Sequence, residues 1–170
     1  GAGPGGIYAA YELTRENKDL KIAVFEAGNE LSKRKCPIDG ERIKTCINCK
    51  SCSIMSGFGG AGAFSDGKYN ITNDFGGTLY EYIGKEKAIS LMEYVDSINL
   101  SHGGEGTKLY TTANTTLKKV CMQNKLQLLD ASVRHLGTDI NYVVLENLYN
   151  ELKDLVEFRF LTPVRKLEVI

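Results

Sequence analysis

Apolar residues first recur at helical spacing over residues 1–16. Ile7, Ala10, Tyr11 and Leu13 fall toward one side, and Arg15 to Lys18 end the pattern in polar residues. Ile22, Ala23, Val24 and Phe25 then form a short unbroken apolar run, the pattern of a strand buried in a parallel sheet. Periodicity is lost over 28–56. It returns at 85–100, where Ala88, Leu91, Met92, Val95 and Ile98 predict a helix that Gly103 and Gly104 stop. A further helix is predicted around 113–124, and "LQLLDASVRHLG" after it reads as extended or irregular. Ile140, Val143, Val144, Leu148, Leu152 and Leu155 make an apolar stripe on a long helix that Thr138 or Asp139 can cap. "VEFRF" reads as a strand and "VRKLEVI" as another, with Thr162 and Pro163 between them. No internal repeat or low-complexity segment interrupts this order.

Composition narrows the classes of function. Among 170 residues, 21 basic side chains balance 21 acidic ones, so neither nucleic acid nor an anionic membrane surface is expected as the main partner. No apolar run approaches the length of a membrane span. Eighteen glycines against three prolines suggest close backbone approaches rather than a disordered linker. Five cysteines are present, three of them at two-residue gaps, a spacing that suits metal or redox chemistry in a reducing cytosol better than secretory disulfides. The expected location is therefore cytoplasmic.

The glycines concentrate in two loops. In "GAGPGGIYAAYEL", Gly1, Gly3 and Gly6 fit G-x-G-x-x-G. The first permits a tight turn, the second lets backbone approach a pyrophosphate, and the third lets helix and strand pack closely. Phosphates then sit on the helix N-terminus, where N–H groups and the helix dipole favour negative charge. Glu26 lies at the end of the next strand, 20 residues after Gly6. A carboxylate there can accept hydrogen bonds from both hydroxyls of an adenosine ribose, and it disfavours a 2′-phosphate. The loop does not distinguish FAD from NAD, and a plain glycine turn with an exposed Glu is the alternative.

The second loop is "SGFGGAGAFSDGKYN". Four glycines between 57 and 62 make sense where side chains would collide with a flat ligand. On the residues alone the stretch reads equally as a glycine-rich hairpin followed by a solvated Lys68.

Taken together, these motifs resemble a known family. "GAGPGGIYAAYEL", the acid of "VFEAG", "KRKCP", "CINCKSC", "SGFGGAGAFSDGKYN", "VRHLGTD" and "LKDLVEFRFLTPVRKLEV" are similar to uncharacterised FAD-dependent dehydrogenases of the glutathione-reductase-like flavoprotein superfamily. The resemblance runs over essentially all 170 residues. It implies that Gly1, Gly3 and Gly6 hold the FAD pyrophosphate, and that Glu26, with Ala27 beside it, binds the adenosine ribose. Gly59, Gly60, Ala61 and Gly62 would bring backbone against the cofactor, with Ser65, Asp66 and Lys68 near the ribityl chain or isoalloxazine. Val164 would offer backbone N–H and C=O to the adenine. A lysine near the flavin could stabilise negative charge on the reduced ring.

The implied fold is α/β: part of a Rossmann-type FAD/NAD(P)-binding domain with a parallel sheet. Residues 1–27 and 137–170 would form it, and 28–136 would be an inserted α+β segment that starts the substrate side. The implied function is flavin-mediated hydride transfer on a small-molecule substrate or electron carrier, with NAD(P)H as a candidate donor. No general base can be named. Family members are longer, and a strand normally feeds such a first loop. The expectation is a piece of a longer flavoenzyme, its N-terminal strand missing. Loss of about five buried apolar side chains at ~1.5–3 kcal/mol each is comparable with a domain's whole stability. By itself the piece is expected neither to fold cooperatively nor to hold FAD. Two alternatives are a non-catalytic remnant that binds nothing and an RNA-modifying flavoprotein, the latter disfavoured by the neutral charge.

Cys46, Cys49 and Cys52 form C-x-x-C-x-x-C, and thiolates at these gaps can converge on one soft metal centre. The bacterial four-iron pattern fails, because position 56 is Ser. Cys36, before Pro37, can supply a fourth ligand to a zinc or iron–sulfur site. Redox-active thiols and plain reduced cysteines are the other readings. His135, beside Arg134 and near Asp139, can bind an anionic group or simply end a strand. His102 reads as a helix-end residue and Cys121 as a buried helix residue.

Overall fold

A computed structural model describes residues 1–113 and 116–169. The chain divides into two compact units, Gly1–Ser65 with Tyr142–Ile170, and Asp66–Asn141.

The first unit contains a parallel strand pair flanked by helices. Helix α1 (Pro4–Glu16) begins on a proline, whose missing N–H costs nothing there, and buries Ile7, Ala10 and Tyr11. It packs on β1 (Ile22–Phe25). Leu13, grouped with that face by spacing, is 44% exposed. Helix α5 (Gly137–Leu152) leads into β5 (Val156–Arg159). β5 runs parallel to β1 in the register Ile22↔Val156 to Phe25↔Arg159. A helix before a parallel strand is what such a pairing requires, since a tight turn cannot connect parallel strands. This makes the fold α/β.

α5 supplies the core, with Val144, Leu148 and Leu152 wholly buried. Its inner face also takes Leu145, whereas Val143 and Leu155 of the predicted stripe are exposed. Phe58 is fully buried, meets Tyr149 edge-on at 5.1 Å and Phe158 at 5.5 Å, and so locks the second glycine loop to α5 and β5. The strand predicted over 164–170 does not form: 164–169 have no ladder partner, with Leu167 and Val169 solvent-exposed, and Ile170 lies outside the described residues.

The second unit is an antiparallel sheet. β2 (Lys68–Ile71), β4 (Ser132–His135) and β3 (Leu109–Thr111) lie in the order β2-β4-β3, with α3 (Lys85–Asn99) packed on β2. The short α2 (Leu79–Ile83) precedes α3, and a π-helical turn (Leu100–Gly104) follows it. The helix predicted over 113–124 is α4 (Thr116–Gln123); positions 114 and 115 of that prediction lie outside the described residues. α4 buries none of its described side chains fully, and Cys121 on it is half-buried rather than buried.

Arg134 is a fixed part of this unit. Its Nε and Nη2 donate to the Asp96 carboxylate at 2.9 and 2.7 Å, and Nη1 donates to the Thr107 carbonyl at 2.7 Å. His102 is buried, with Nδ1 2.7 Å from the Ile98 carbonyl, which places it at the helix end as its sequence context suggested.

Leu148→Ala is expected to cost about 2–5 kcal/mol, read from the urea midpoint, because the helix cannot collapse onto the vacated space. Val143→Ala on the same helix is exposed, and a change within about 0.5 kcal/mol is expected. Asp96→Ala leaves a buried guanidinium without its anion and is expected to cost about 3–5 kcal/mol.

Candidate functional site

The two glycine loops, more than fifty positions apart in sequence, lie against each other in the first unit. The Gly59 N–H donates to the Ala2 carbonyl at 2.8 Å. A side chain at Gly60 would meet the Gly3 Cα at 3.2 Å, and Gly60 has φ +63°, so only glycine fits both the conformation and the contact. Gly6 is required for a different reason: a Cβ there would lie 1.9 Å from the Gly1 carbonyl oxygen. Gly60–Phe64 is a short 3₁₀ turn, not a hairpin. Ser65 ends it by donating its backbone N–H and its hydroxyl to the Gly62 carbonyl.

This pairing leaves a surface of bare backbone. A Cβ added at Gly5 or Gly62 would meet nothing within 4 Å, and one at Gly3 only the Gly60 Cα at 4.0 Å. No side chain caps α1, and its first turn carries no acidic residue. A helix N-terminus of this kind presents backbone N–H groups and a positive dipole end to an anion.

Glu26 organises both loops from below. It sits just past β1, buried. Oε2 accepts the Ala2 N–H at 2.7 Å, and Oε1 accepts those of Gly28 at 2.8 Å and Gly57 at 2.9 Å. One carboxylate thus fixes the first loop, the turn after β1 and the entry to the second loop. Burial pushes this carboxyl up, but the Gly28, Ala2 and Gly57 donors outweigh it and hold it below the ordinary carboxylate range. A carboxylate offers about four acceptor positions, so with three donors in place it has room for one more. Recognition of both ribose hydroxyls therefore asks one backbone donor to give way.

The remaining predicted residues are placed as follows. Ala27 follows Glu26, and its carbonyl accepts the Ser51 hydroxyl at 3.3 Å. The Thr162 N–H donates to the Glu26 carbonyl at 2.8 Å and the Leu161 N–H to that of Gly28 at 3.0 Å. These bonds carry the chain on to Val164, which lines a cavity of about 310 Å³ with Gly1, Gly6, Leu13, Val24 and Phe25. Ala61 lies exposed in the 3₁₀ turn. Asp66 and Lys68 belong to the second unit and pair with each other at 2.6 Å. The Lys68 hydrogen bond holds the Asp66 carboxyl below its usual range. Lys68 stands opposite His135 in the β2–β4 ladder.

Arg34, which the sequence shows only as part of "KRKCP", is buried and holds the second loop from its other side. It donates to the carbonyls of Ser53 at 2.8 Å, Ile54 at 2.8 Å and Phe58 at 2.6 Å, and stacks over Phe64. Three carbonyls nineteen to twenty-four positions away leave no local sequence signal. Cys36, Cys46, Cys49 and Cys52 line one cavity of about 280 Å³. All four are free thiols, and among the described residues no three His, Cys, Asp or Glu side chains form a group that could hold a metal ion.

Comparison with known proteins agrees with the first loop. Residues 1–49 match the NAD(P)-binding Rossmann-like domain family. This supports a nucleotide cofactor such as NAD(P) or FAD and is consistent with oxidoreductase activity. An uncharacterized protein of Clostridium beijerinckii (strain ATCC 51743 / NCIMB 8052) is 41% identical over 68 residues, a match that spans 40% of this chain and 12% of that protein. No solved structure matches. No helix among the described residues is long and apolar enough to cross a membrane.

Glu26→Ala strands three buried N–H donors at about 1–3 kcal/mol each, so a loss above about 3 kcal/mol is expected in urea unfolding. The pH dependence has a definite sign. The folded carboxyl lies below its unfolded value of about 4.3, so its contribution is fully present above that pH. It is lost as pH falls through the lowered folded value. Glu26→Gln is expected to flatten this acid limb of the stability profile.

Proposed function

We propose that this chain carries the FAD-binding part of a flavin-dependent oxidoreductase. The single observation behind this reading is the stacking of the second glycine loop on the first, through the Gly59–Ala2 hydrogen bond and the Gly60–Gly3 approach. A mononucleotide-sized phosphate contact needs only the first loop. A second stretch of exposed backbone laid beside it extends the platform in the direction a long, flat cofactor would occupy.

In this reading Gly3, Gly5 and Gly6 present backbone to the pyrophosphate at the start of α1. Glu26 takes a ribose hydroxyl on its remaining acceptor position, with Ala27 beside it. Gly60, Ala61 and Gly62 lie along the cofactor with nothing larger than one methyl group to obstruct it, Gly59, buried against Leu145 and Ala63, supports them from behind, and Val164 offers its backbone to the adenine. The resemblance assigns Ser65, Asp66 and Lys68 to the flavin end of the cofactor, where a lysine can offset developing negative charge. FAD supplies hydride acceptance and donation when bound. The protein's part is to bind and orient it beside a small-molecule substrate or electron carrier, with NAD(P)H as the donor class.

Gly3→Ala and Gly62→Ala separate binding from folding, because in the free protein neither new methyl group meets an obstacle. Both variants, made in a chain long enough to hold FAD, are expected to unfold within a few degrees of the parent and to bind FAD at least about tenfold more weakly, a loss of about 1.4 kcal/mol. The affinity is measured by quenching of flavin fluorescence. Unchanged FAD affinity in both variants overturns the assignment of the loops. Tighter binding of NAD than of FAD, with the same sensitivity to the two substitutions, overturns the flavin.

A further inference from the structure

We propose a second site in the first unit, at which Cys36, Cys46, Cys49 and Cys52 take up one zinc ion as a tetrathiolate. Four observations lead there.

The first is a shared cavity. Cys36 is ten positions from its nearest partner in sequence, yet all four thiols line the same cavity of about 280 Å³, together with Pro37, Ile38 and Ile47. Soft thiolates around a zinc ion suit a surround in which the side chains beside them are largely aliphatic.

The second is the shape of the Cys46–Cys49 turn. Asn48 has φ +52°, a left-handed conformation uncommon outside glycine and asparagine. It curls the turn so that the Asn48 N–H donates to the Cys46 Sγ at 3.4 Å. The Cys46 thiol in turn donates to the Asn48 Oδ1 at 3.7 Å, so backbone and side chain of Asn48 both hold this sulfur within the turn. A C-x-x-C spacing folded this way is the half-site of a tetrahedral zinc centre, whereas a lone reduced cysteine needs no such turn.

The third is charge. Four thiolates around a divalent ion carry a net charge of −2. Between residues 33 and 52 the chain places Lys33, Arg34, Lys35, Arg42, Lys44 and Lys50 against only Asp39 and Glu41. Arg34 also interacts electrostatically with Cys52 and holds the carbonyls of the two residues after it.

The fourth is that the loop has little else to hold it. Residues 35–50 form no helix or strand, and none of them is buried. Its fixed points are Arg34 at one end, the Ser51–Ala27 contact at the other, and a turn in which Asp39 accepts the N–H groups of Glu41, Arg42 and Ile43. Loops this long without structure of their own commonly serve a function. The thiols share the cavity without forming a ligating group, so binding draws the stretch around Cys36 and the 46–52 turn together. With no buried side chain between them, that movement costs little packing. Four zinc–sulfur bonds form, the protons of the thiols are released, and no electron is transferred, so metal uptake and ordering of the loop are one equilibrium.

The test is metal analysis of the protein purified under reducing conditions, with cobalt(II) as a probe of the chelator-stripped form. One zinc per chain is expected. Cobalt is expected to give the intense visible bands of a tetrahedral thiolate site. With zinc present, a thiol reagent is expected to react quickly with Cys121 alone, and with all five cysteines after chelation. Cys46→Ser and Cys49→Ser are expected to lower zinc content, while Cys121→Ser, which is not among the residues lining the cavity, keeps it. The wild-type cobalt spectrum reads the site even if a Cys variant fails to fold. Cobalt bands of an octahedral aquo ion, or five thiols reacting alike with and without zinc, overturn the proposal. So does iron with inorganic sulfide, which would make the site a cluster. None of these readouts depends on FAD.

Discussion

The Glu26 carboxylate is the point on which the first unit depends. Three stretches of backbone, around Ala2, Gly28 and Gly57, turn their N–H groups onto its two oxygens. Each would otherwise be a buried donor without a partner, which a folded chain rarely tolerates. The close approaches follow from this convergence. A Cβ at Gly28 would lie 2.4 Å from the Gly57 nitrogen, because both residues crowd onto the same oxygen. The second loop reaches the first because its entry is fixed there.

Arg34 completes the arrangement with the opposite charge. Glu26 gathers N–H groups and Arg34 gathers carbonyls, and Gly57 and Phe58, adjacent in sequence, are held one by each. Phe58 then enters the aromatic cluster with Tyr149 and Phe158. The loop is therefore held by a buried anion, a buried cation and a ring, although its own glycines contribute almost no apolar surface. A glycine-rich stretch has the largest entropy to lose on folding, and these three anchors offset that cost.

Much of this was legible in the sequence, and the failures share a cause. α1, β1, α5 and β5 follow from local periodicity and glycine placement, since Ile7, Val24, Leu148 and Val156 are buried within their own elements. The two loops and Glu26 stand out because glycine and a strand-end acid have few other uses at those positions. The three-donor role of Glu26 could not be read, because its partners lie up to 31 positions away. Arg34 and the Arg134–Asp96 pair were hidden for the same reason, the latter joining positions 38 apart. β2, α2 and β3 were missed because short elements of three to five residues carry too few positions to show a period. The segment 164–169 looked like a strand by composition, but a strand exists only where another chain segment supplies its hydrogen bonds.

The double duty proposed for Glu26 bears on how this protein can change. In dinucleotide-binding proteins the acid after the second strand sets which ribose is accepted, and replacing it with a neutral or basic residue is the direct route toward 2′-phosphorylated cofactors. Here that route passes through the three backbone donors that depend on the carboxylate. A substitution that welcomed the phosphate would also release both glycine loops. On that proposal cofactor choice and loop architecture are linked in one side chain, and a redesign of this position has to supply new acceptors for Ala2, Gly28 and Gly57.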